Sequence, residues 1–334
     1  MCVAVDHPVD IDTILREFGV RSMVQSIRVP SAQGRPDREF GRNRVIHMPL
    51  IALPSISRRT FAFAPFGIVM SRAAGESQHW ALLSDTHVPA NPDEAYRGFK
   101  PVENLKIVVA EVVAAKPEGA LICGDLARLE GLVPDYKMLQ SLVSPIVEKA
   151  PLALTLGNHD DRRNFLGSFG NSQPGKQTVQ GKHVIVAEGP AVRFVLLDSL
   201  LQANVTPGQL GKNQRAWLAQ YLKTSNDKPT LIVVHHTLDD GDGSLVDSDR
   251  LFEIVKPHKK VKAILFGHSH VYRYDVNDGI HLVNLPAIGY NFTDAQPVGW
   301  VDSILTAQGG EFTLHAFGGN REKDGKTVSL KWRG

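Results

Sequence analysis

Short apolar runs recur along the chain from residue 79 onward, and polar or glycine-containing segments separate them. Runs of this length, bounded by turn residues, are typical of buried strands. We therefore predict strands at residues 80–83, 120–123, 152–156, 192–197, 231–234 and 263–266, with further strands at 280–284, 300–305 and 312–316.

Two of the intervening segments have the spacing of helices. Apolar residues fall on one face in the segment that contains Val102, Leu105 and Val109, and again in the segment that contains Trp217 and Tyr221. The alternation of strands and helices predicts an α/β domain over residues 79–334. In such domains the active site lies at the C-terminal ends of the strands.

The first 75 residues have a different composition from the rest. They contain ten arginines and no lysine, whereas the remainder contains ten arginines and seventeen lysines. Residues 30–43 are rich in Pro, Gly, Arg and Ser and lack apolar periodicity. This composition predicts disorder.

An arginine pair, Arg58 and Arg59, precedes an uncharged run at 62–70 and then several small residues. This order resembles a twin-arginine export signal. We predict that residues 48–78 form the signal, that the protein is exported to the periplasm or cell envelope, and that residues 1–47 are disordered or a start-site artefact. The alternative is a chance arginine pair and a docked apolar segment in a cytoplasmic protein.

Charge and cysteine content exclude several classes of protein. The formal net charge is only +2, which gives no basic footprint for nucleic acid. Two cysteines, Cys2 and Cys123, cannot form a four-cysteine zinc site, and the apolar run around Cys123 predicts a buried thiol. No apolar run reaches the ~18 residues that a transmembrane helix needs, so we expect no stable membrane span.

Polar clusters directly follow five of the predicted strands. Loops at the C-terminal edge of a sheet converge in space, so these clusters predict one site. A single cluster has an ordinary explanation, because Gly-Asp is a common turn and Asn-His-Asp can cap a helix. Coincidence does not explain five in order. The clusters are Asp85-Thr86-His87, Gly124-Asp125, Gly157-Asn158-His159-Asp160, His235-His236 and Gly267-His268-Ser269-His270.

The residue types in these clusters suit two divalent metal ions. Carboxylate, amide oxygen and neutral imidazole together match Zn, Mn or Fe, whereas six oxygen ligands would suit Mg or Ca. One ion would leave ligands unused. Two ions need a shared oxygen, for which Asp125 is the candidate. The neighbouring glycines Gly124, Gly157 and Gly267 let the backbone approach the ions closely.

This ordered set resembles the calcineurin-like metallophosphoesterase superfamily over residues 79–275. The histidine pair and the Gly-His-Ser-His ending are most similar to class III cyclic-nucleotide phosphodiesterases and bacterial glycerophosphodiesterases. The resemblance implies a four-layer α/β sandwich in which helices flank two mixed β-sheets. It also implies a metal-dependent hydrolase that cleaves phosphate esters by in-line attack of a metal-bound hydroxide.

The resemblance also implies roles for individual residues. His159 would contact the phosphate, stabilise the transition state and protonate the leaving oxygen. Some relatives carry a ring-orienting Asp three residues after the bridging Asp, and others a tyrosine ligand, but Arg128 stands there in this chain. Asp160 is one substitute for orienting His159, and a coloured iron-tyrosinate centre is not expected. The first ion would be held by Asp85, His87 and His270, and the second by Asn158, His235 and His268, with Asp125 as the bridge.

The substrate side departs from the close relatives, which follow the histidine pair with two prolines where this chain has Thr237 and Leu238. Five aspartates then crowd residues 239–249. A flexible acidic loop beside the site would repel a polyanion, so we expect a small phosphomonoester or phosphodiester as substrate and no nucleic acid. The ordinary alternative is a solvated surface loop with a helix cap at Asp247.

Possible substrate-binding residues are Arg162, Arg163 and His236, of which the arginine pair could grip one phosphate. Tyr290 and Phe292 could line a pocket, although core packing is the favoured interpretation. Two other functions stay open: a nuclease of the same fold, and a binding protein that has lost catalysis. A substituted ligand would favour the second, and none is substituted.

Overall fold

A computed structural model describes residues 76–170 and 173–334. The predicted segment 1–47 lies outside the described residues, as does the predicted signal 48–78 apart from its last three residues. Ser77 and Gln78 already belong to the first strand, which begins two residues before the predicted domain boundary. Within the described part of the chain, no helix combines the length and apolar character that a membrane crossing requires.

Helices are interspersed among the strands up to residue 255, and strands alone complete the domain. In chain order the elements are β1 (Ser77–Leu83), α1 (Pro101–Ala115), β2 (Gly119–Cys123), α2 (Val133–Val147), β3 (Leu152–Thr155), α3 (Arg162–Phe169), β4 (Lys176–Gln177), β5 (Val184–Glu188), β6 (Arg193–Leu196), α4 (Gly211–Thr224), β7 (Thr230–Val233), α5 (Ser248–Val255), β8 (Val261–Phe266), β9 (Arg273–Asn277), β10 (Ile280–Asn284), β11 (Pro297–Thr306), β12 (Gly309–Gly319) and β13 (Thr327–Lys331).

The strands form two mixed sheets. The first has the order β13-β12-β11-β1-β2-β3, in which β1, β2 and β3 are parallel and the C-terminal strands add antiparallel to β1. The second has the order β4-β5-β6-β7-β8-β10-β9, with a parallel centre of β6, β7, β8 and β10. The parallel strands of both sheets therefore carry the loops in which the polar clusters lie.

The pleat of the central strands explains the layering. In β1, Trp80 and Leu82 face the core between the two sheets, whereas Ala81 and Leu83 face the core beneath α1 and α2. A third core covers the outer face of the second sheet beneath α4 and α5. The order of layers is thus helix, sheet, sheet, helix, and the predicted four-layer α/β sandwich is confirmed.

All nine predicted strands are present, with ends that differ by at most three residues from the predicted ones, and both predicted helices are present. The elements that the apolar pattern missed are short, amphipathic or at an edge, such as β9, whose residues are half-buried or exposed. The acidic segment 239–249 is not wholly a loop, because α5 begins at Ser248.

Candidate metal centre

The five polar clusters converge on one edge of the sandwich, where their loops hydrogen-bond to one another. The loop after β1 pairs with the loop after β2, since Asp85 N–H and His87 N–H donate to the carbonyls of Gly124 and Asp125 (3.2 and 2.9 Å). The loop after β8, in the second sheet, contacts the loop after β1, in the first, because His268 N–H donates to the Asp85 carboxylate (3.1 Å).

Six of the seven predicted metal ligands, together with His159, fall into three overlapping groups of possible ligand atoms. Asp125 lies between two of them, with Oδ2 at 3.7 Å from His87 Nε2 and 3.3 Å from His235 Nε2. Asp85 Oδ1 lies 3.3 Å from His270 Nε2. The groups, each with its atoms within 4.8 Å of one another, are Asp85, His87 and His270; His87, Asp125 and His159; and Asp125, His235 and His268.

Backbone carbonyls orient three of these histidines. His235 Nδ1–H donates to the Cys123 carbonyl (2.7 Å), and His270 Nδ1–H donates to the Tyr290 carbonyl (2.6 Å). His87 Nδ1 lies 3.4 Å from the Arg128 carbonyl. In the rings of His235 and His270 the other nitrogen, Nε2, therefore faces the centre, where it can bind a metal ion.

The arrangement of these nitrogen atoms suits metal ions. His87 Nε2 and His270 Nε2 lie only 3.1 Å apart, close enough to bind one cation together. On the other side, Asn158 Oδ1, His235 Nε2 and His268 Nδ1 are buried without a hydrogen-bond partner among the described residues. Leaving such atoms unpaired costs roughly 1–3 kcal/mol each. The clustered histidines and aspartates thus suit a dinuclear metal site.

The electrostatics of the centre also favour positive charge. Burial would raise the pKa of Asp85, but the facing His270 and His235 hold it at about 2. Burial opposes protonation of His235, but Asp125 and Asp85 raise its pKa to about 9. His87 is neutral, because burial lowers its pKa to about 3. The ionised carboxylates of Asp85 and Asp125 thus attract positive charge, which in the absence of an ion is a proton on His235, and a bound metal ion would displace that proton.

The backbone is held in an unusual conformation at this edge. Five of the predicted ligands have a left-handed φ, namely Asp85 (52°), His87 (45°), Asp125 (47°), His268 (70°) and His270 (54°). Residues other than glycine adopt this region rarely. Such strained residues cluster at functional sites, where the surrounding structure holds them in place.

His159 lies beside this group and is half-buried. Its backbone N–H donates to Asp125 Oδ1 (2.8 Å), and its ring lies 5.3 Å from the ring of His87. The substitute that we considered for orienting the ring, Asp160, is wrong: its carboxylate accepts from Gly157 N–H and Tyr136 Oη–H instead. The Leu129 carbonyl takes that role by accepting from His159 Nδ1 (3.0 Å).

The structure uses Arg162 elsewhere. Its guanidinium forms a bidentate ion pair with Asp198 (2.6 and 2.9 Å) and donates to the Leu200 carbonyl (2.6 Å). This arrangement engages much of the guanidinium, and the grip of Arg162 on a substrate phosphate stays a prediction. Arg163 is exposed beside it. Asp198 directly follows an apolar run, so the rule that found the five clusters would also have found this residue.

His236 is fully buried and has its own partner, the Ser199 hydroxyl at 2.7 Å from Nδ1. Its ring lies 4.8 Å from the ring of His268, and burial holds its pKa well below the usual range. It borders the centre as a neutral side chain, and its predicted contact with the substrate stays a prediction.

The acidic segment approaches the centre through a glycine. A Cβ at Gly243 would lie 3.3 Å from His268 Nε2, while Asp239, Asp240 and Asp242 are exposed around it. Asp247 occupies the N-cap position of α5, as the alternative expects, but its side chain makes no capping hydrogen bond there. Its carboxylate accepts instead from the N–H groups of Leu210 and Gly211 at the start of α4.

The two aromatic residues after β10 differ in position. Tyr290 is buried, with its ring 4.7 Å from His87 and 4.8 Å from His270, as the packing interpretation expects. Phe292 is 44% exposed and stacks on His270 at 4.2 Å. Core packing is therefore wrong for Phe292, because the chain turns outward after Asn291.

Known proteins resemble this chain in sequence. The profile of the calcineurin-like phosphoesterase family matches residues 80–272. A probable cyclic nucleotide phosphodiesterase from Ruthia magnifica is 28% identical over 67% of this chain and 92% of its own length. A glycerophosphodiester phosphodiesterase, GpdQ, from Enterobacter lignolyticus is 28% identical over 57% of this chain and 70% of its own length.

Solved structures resemble it in fold. A dimetal phosphatase from Danio rerio superposes with a TM-score of 0.58 at 15% identity, covering 77% of this chain and 99% of that one. The yellow lupin purple acid phosphatase PPD1 gives 0.56 at 13% identity, covering 77% and 54%. With the family profile matched over more than half of its length, the chain belongs to the calcineurin-like phosphoesterase family and is a phosphoric ester hydrolase.

Proposed function

We propose that the protein hydrolyses a small phosphodiester or phosphomonoester with two divalent metal ions held in this centre. The observation that carries the proposal is the set of buried ligand atoms that meet here, several of which have no hydrogen-bond partner in the part of the chain that the structure describes. His87 and His270 direct facing Nε2 atoms at 3.1 Å, and three further buried ligand atoms lack partners among the described residues. A site built for hydrogen bonding alone would not leave these atoms unpaired.

The ligands divide into two sets on either side of one carboxylate. When bound, the two ions supply Lewis-acid polarisation of the phosphate and an activated water at neutral pH. Asp125 suits the bridge because its Oδ2 approaches a histidine of each set, at 3.7 and 3.3 Å. The proposed sets are Asp85, His87 and His270 for one ion and Asn158, His235 and His268 for the other.

His159 is the group that we propose to act on the substrate. Its Nδ1 is occupied by the Leu129 carbonyl, so its Nε2 is the atom left for a phosphoryl oxygen or the leaving oxygen. Its half-buried position allows contact with a substrate. A protonated imidazole there would stabilise the negative charge that develops in the transition state.

The exposed aspartates support a small ester over a nucleic acid. The exposed side chains lie around Gly243, next to His268, and belong to Asp239, Asp240 and Asp242. A long polyanion that approached the centre on the His268 side would therefore meet negative charge. The named activities of the relatives, cyclic nucleotide and glycerophosphodiester phosphodiesterases, also favour small diesters. A binding protein without catalysis is disfavoured because every predicted ligand is present.

Metal analysis tests the centre directly. Wild-type protein expressed with Mn, Fe and Zn should contain two ions per chain, and Asp125→Asn should lose most of both. Asp302→Asn is the matched control, because Asp302 pairs with His79 on the same sheet and is no part of the centre. One ion or none in the wild type would contradict the two-ion proposal.

Kinetic measurements test the role of His159 and the preference for a small ester over a nucleic acid. His159→Ala should lower kcat by about 10²-fold or more while the metal content stays at two, as expected for a general acid. Loss of metal in this variant would make His159 a ligand, which its distance to His87 and Asp125 also permits. Equal kcat/KM for an oligonucleotide and bis(p-nitrophenyl) phosphate at low salt would instead favour a nuclease.

A further inference from the structure

Three exposed side chains stand together beside the first set of ligands. Phe292 is 44% exposed and Tyr96 is 38% exposed, although both are large aromatic residues. Arg97, adjacent to Tyr96, is also exposed. Exposed aromatic side chains beside candidate catalytic residues are more often part of a ligand-binding surface than poorly packed core residues.

A continuous chain of ring contacts connects these residues to the metal centre. The ring of Phe292 stacks on His270 with centroids 4.2 Å apart and planes 19° apart. Tyr290 lies behind, 4.7 Å from His87 and 4.7 Å from Tyr96. The exposed rings are therefore held at a fixed position relative to the ligands of the first ion.

A tight turn holds Arg97 over both rings. Tyr96 and Phe99 exchange backbone hydrogen bonds (2.8 and 2.9 Å), with φ of 51° at Arg97 and 83° at Gly98, which makes a two-residue hairpin turn. The Arg97 Cζ lies 5.7 Å from the Tyr96 centroid and 5.4 Å from the Phe292 centroid. Its left-handed φ is a strain that ligand-binding loops commonly retain.

The guanidinium of Arg97 is only partly engaged. It donates one hydrogen bond, to the Phe292 carbonyl (3.1 Å), and no carboxylate of the described residues lies within 4.0 Å of it. Arg128, which lies 4.8 Å from the Tyr96 ring centroid, differs because Glu94 pairs with it at 2.7 Å. Arg97 thus has donors available for a ligand, whereas Arg128 serves mainly to fix the Tyr96 ring.

We infer that Tyr96, Arg97 and Phe292 form a subsite that binds a planar aromatic ring carried by the ester. This inference rests on the proposed function, because it takes the phosphate to be held at the adjacent ions. Stacking of a base on an aromatic side chain contributes about 1–3 kcal/mol, and a guanidinium adds cation–π attraction. An aliphatic group such as a glycerol would gain little of either.

The position of the subsite also orients the ester. The ring-binding residues adjoin His270 and His87, at the first set of ligands, whereas the acidic segment adjoins His268, at the second. An aromatic substituent would therefore extend from the phosphate on the side of the first ion. A neutral or cationic substituent would be tolerated on the other side, beside Asp242.

Direct binding tests the subsite without depending on turnover. The Mn-loaded protein is titrated calorimetrically with 2-phenylethylphosphonate and with ethylphosphonate, which share a non-hydrolysable phosphonate and differ by the ring. We expect the wild type to bind the ring-bearing phosphonate at least about 5-fold more tightly. Phe292→Ala and Tyr96→Ala should each remove most of this preference, and Phe292→Tyr should retain it.

Controls separate the possible failures. Val276→Ala, which removes exposed apolar surface on β9, should leave the preference unchanged, and metal content is measured for every variant. Equal binding of the two phosphonates by the wild type, or an unchanged preference in Tyr96→Ala with two metals bound, overturns the subsite. Hydrolysis of bis(p-nitrophenyl) phosphate is measured in parallel, so an inactive wild type that still prefers the ring contradicts only the proposed function.

Discussion

A methyl group at Gly157 is the smallest change that should disturb both sets of ligands at once. Gly157 follows β3 and faces the loop after β2 and the histidine that follows β7. A Cβ built there would lie 2.5 Å from Asp125 N and 2.6 Å from His235 Nε2, and closer still to Asp125 Oδ1. Gly157→Ala therefore places one carbon inside the contact distance of the proposed bridge and of a proposed ligand.

The required displacement sets the size of the effect. Ordinary contact begins at 3.4 Å, so the His235 ring must move by about 0.8 Å (3.4 − 2.6) and the Asp125 backbone by about 0.9 Å (3.4 − 2.5). Neither can rotate away freely, because Cys123 holds His235 and His159 N–H holds Asp125. A misplacement of about 1 Å costs about 10²-fold in rate. Overpacking should also destabilise the fold by about 1–3 kcal/mol.

The assay compares Gly157→Ala with Gly167→Ala for kcat on bis(p-nitrophenyl) phosphate, metal content and urea unfolding. Gly167 is exposed on α3, and a Cβ there meets no atom within 4 Å. That control should keep full activity and gain about 0.5–1 kcal/mol from its better helix propensity. Wild-type kcat and two bound ions in Gly157→Ala would refute the close approach on which the reasoning rests.

Three further predictions concern stability, pH and export. Asp198→Ala leaves Arg162 without its buried partner, so the free energy of unfolding in urea should fall by about 3–5 kcal/mol. The control Glu253→Ala removes an exposed ion pair and should change it by no more than about 0.5 kcal/mol. A small loss in Asp198→Ala would argue against the ion pair. Burial lowers the pKa of His183 from 6.5 to about 4, so the folded protein favours the neutral ring. The contribution of His183 to the free energy of unfolding is therefore complete above pH 6.5 and falls by on the order of 3 kcal/mol as the pH drops from 6.5 towards 4. His183→Gln should lack this loss, and a gap to the wild type that is equal at pH 8 and pH 4.5 would rule it out. Fusion of residues 48–78 to a reporter should direct export, and replacing its arginine pair by lysines should stop it; a reporter that stays in the cytoplasm contradicts the signal and leaves the catalytic proposal intact.

Local pattern predicted the parts of the fold that depend on burial of the backbone. Central strands such as β2 and β8 are apolar along almost their whole length, so four to six consecutive residues identify them. The edge strand β9 carries no such signal, because three of its five residues are exposed, and it was missed for that reason. The short helix α5 was hidden by the acidic residues that precede it and occupy its first turn.

The candidate centre could be predicted because its chemistry is attached to the strand ends. Asp85, Asp125 and His235 each follow an apolar run within two residues, and parallel strands bring such ends to one edge whatever the loops do afterwards. Sequence alone therefore determined which side chains meet.

Only the tertiary structure decided what the neighbouring polar and aromatic residues do. Arg162 follows the Asn-His-Asp motif and has the chemistry of a phosphate ligand, but Asp198, which is 36 residues away, pairs with it first. Phe292 is a residue type that usually lies in the core. It follows the end of β10, however, and its ring stacks on His270 while remaining 44% exposed. Partners of this kind come from other elements, and their approach depends on how the sheets and loops pack. A side chain's type limits what it can bind, whereas the competition among partners within reach is settled by distance and burial in the folded chain.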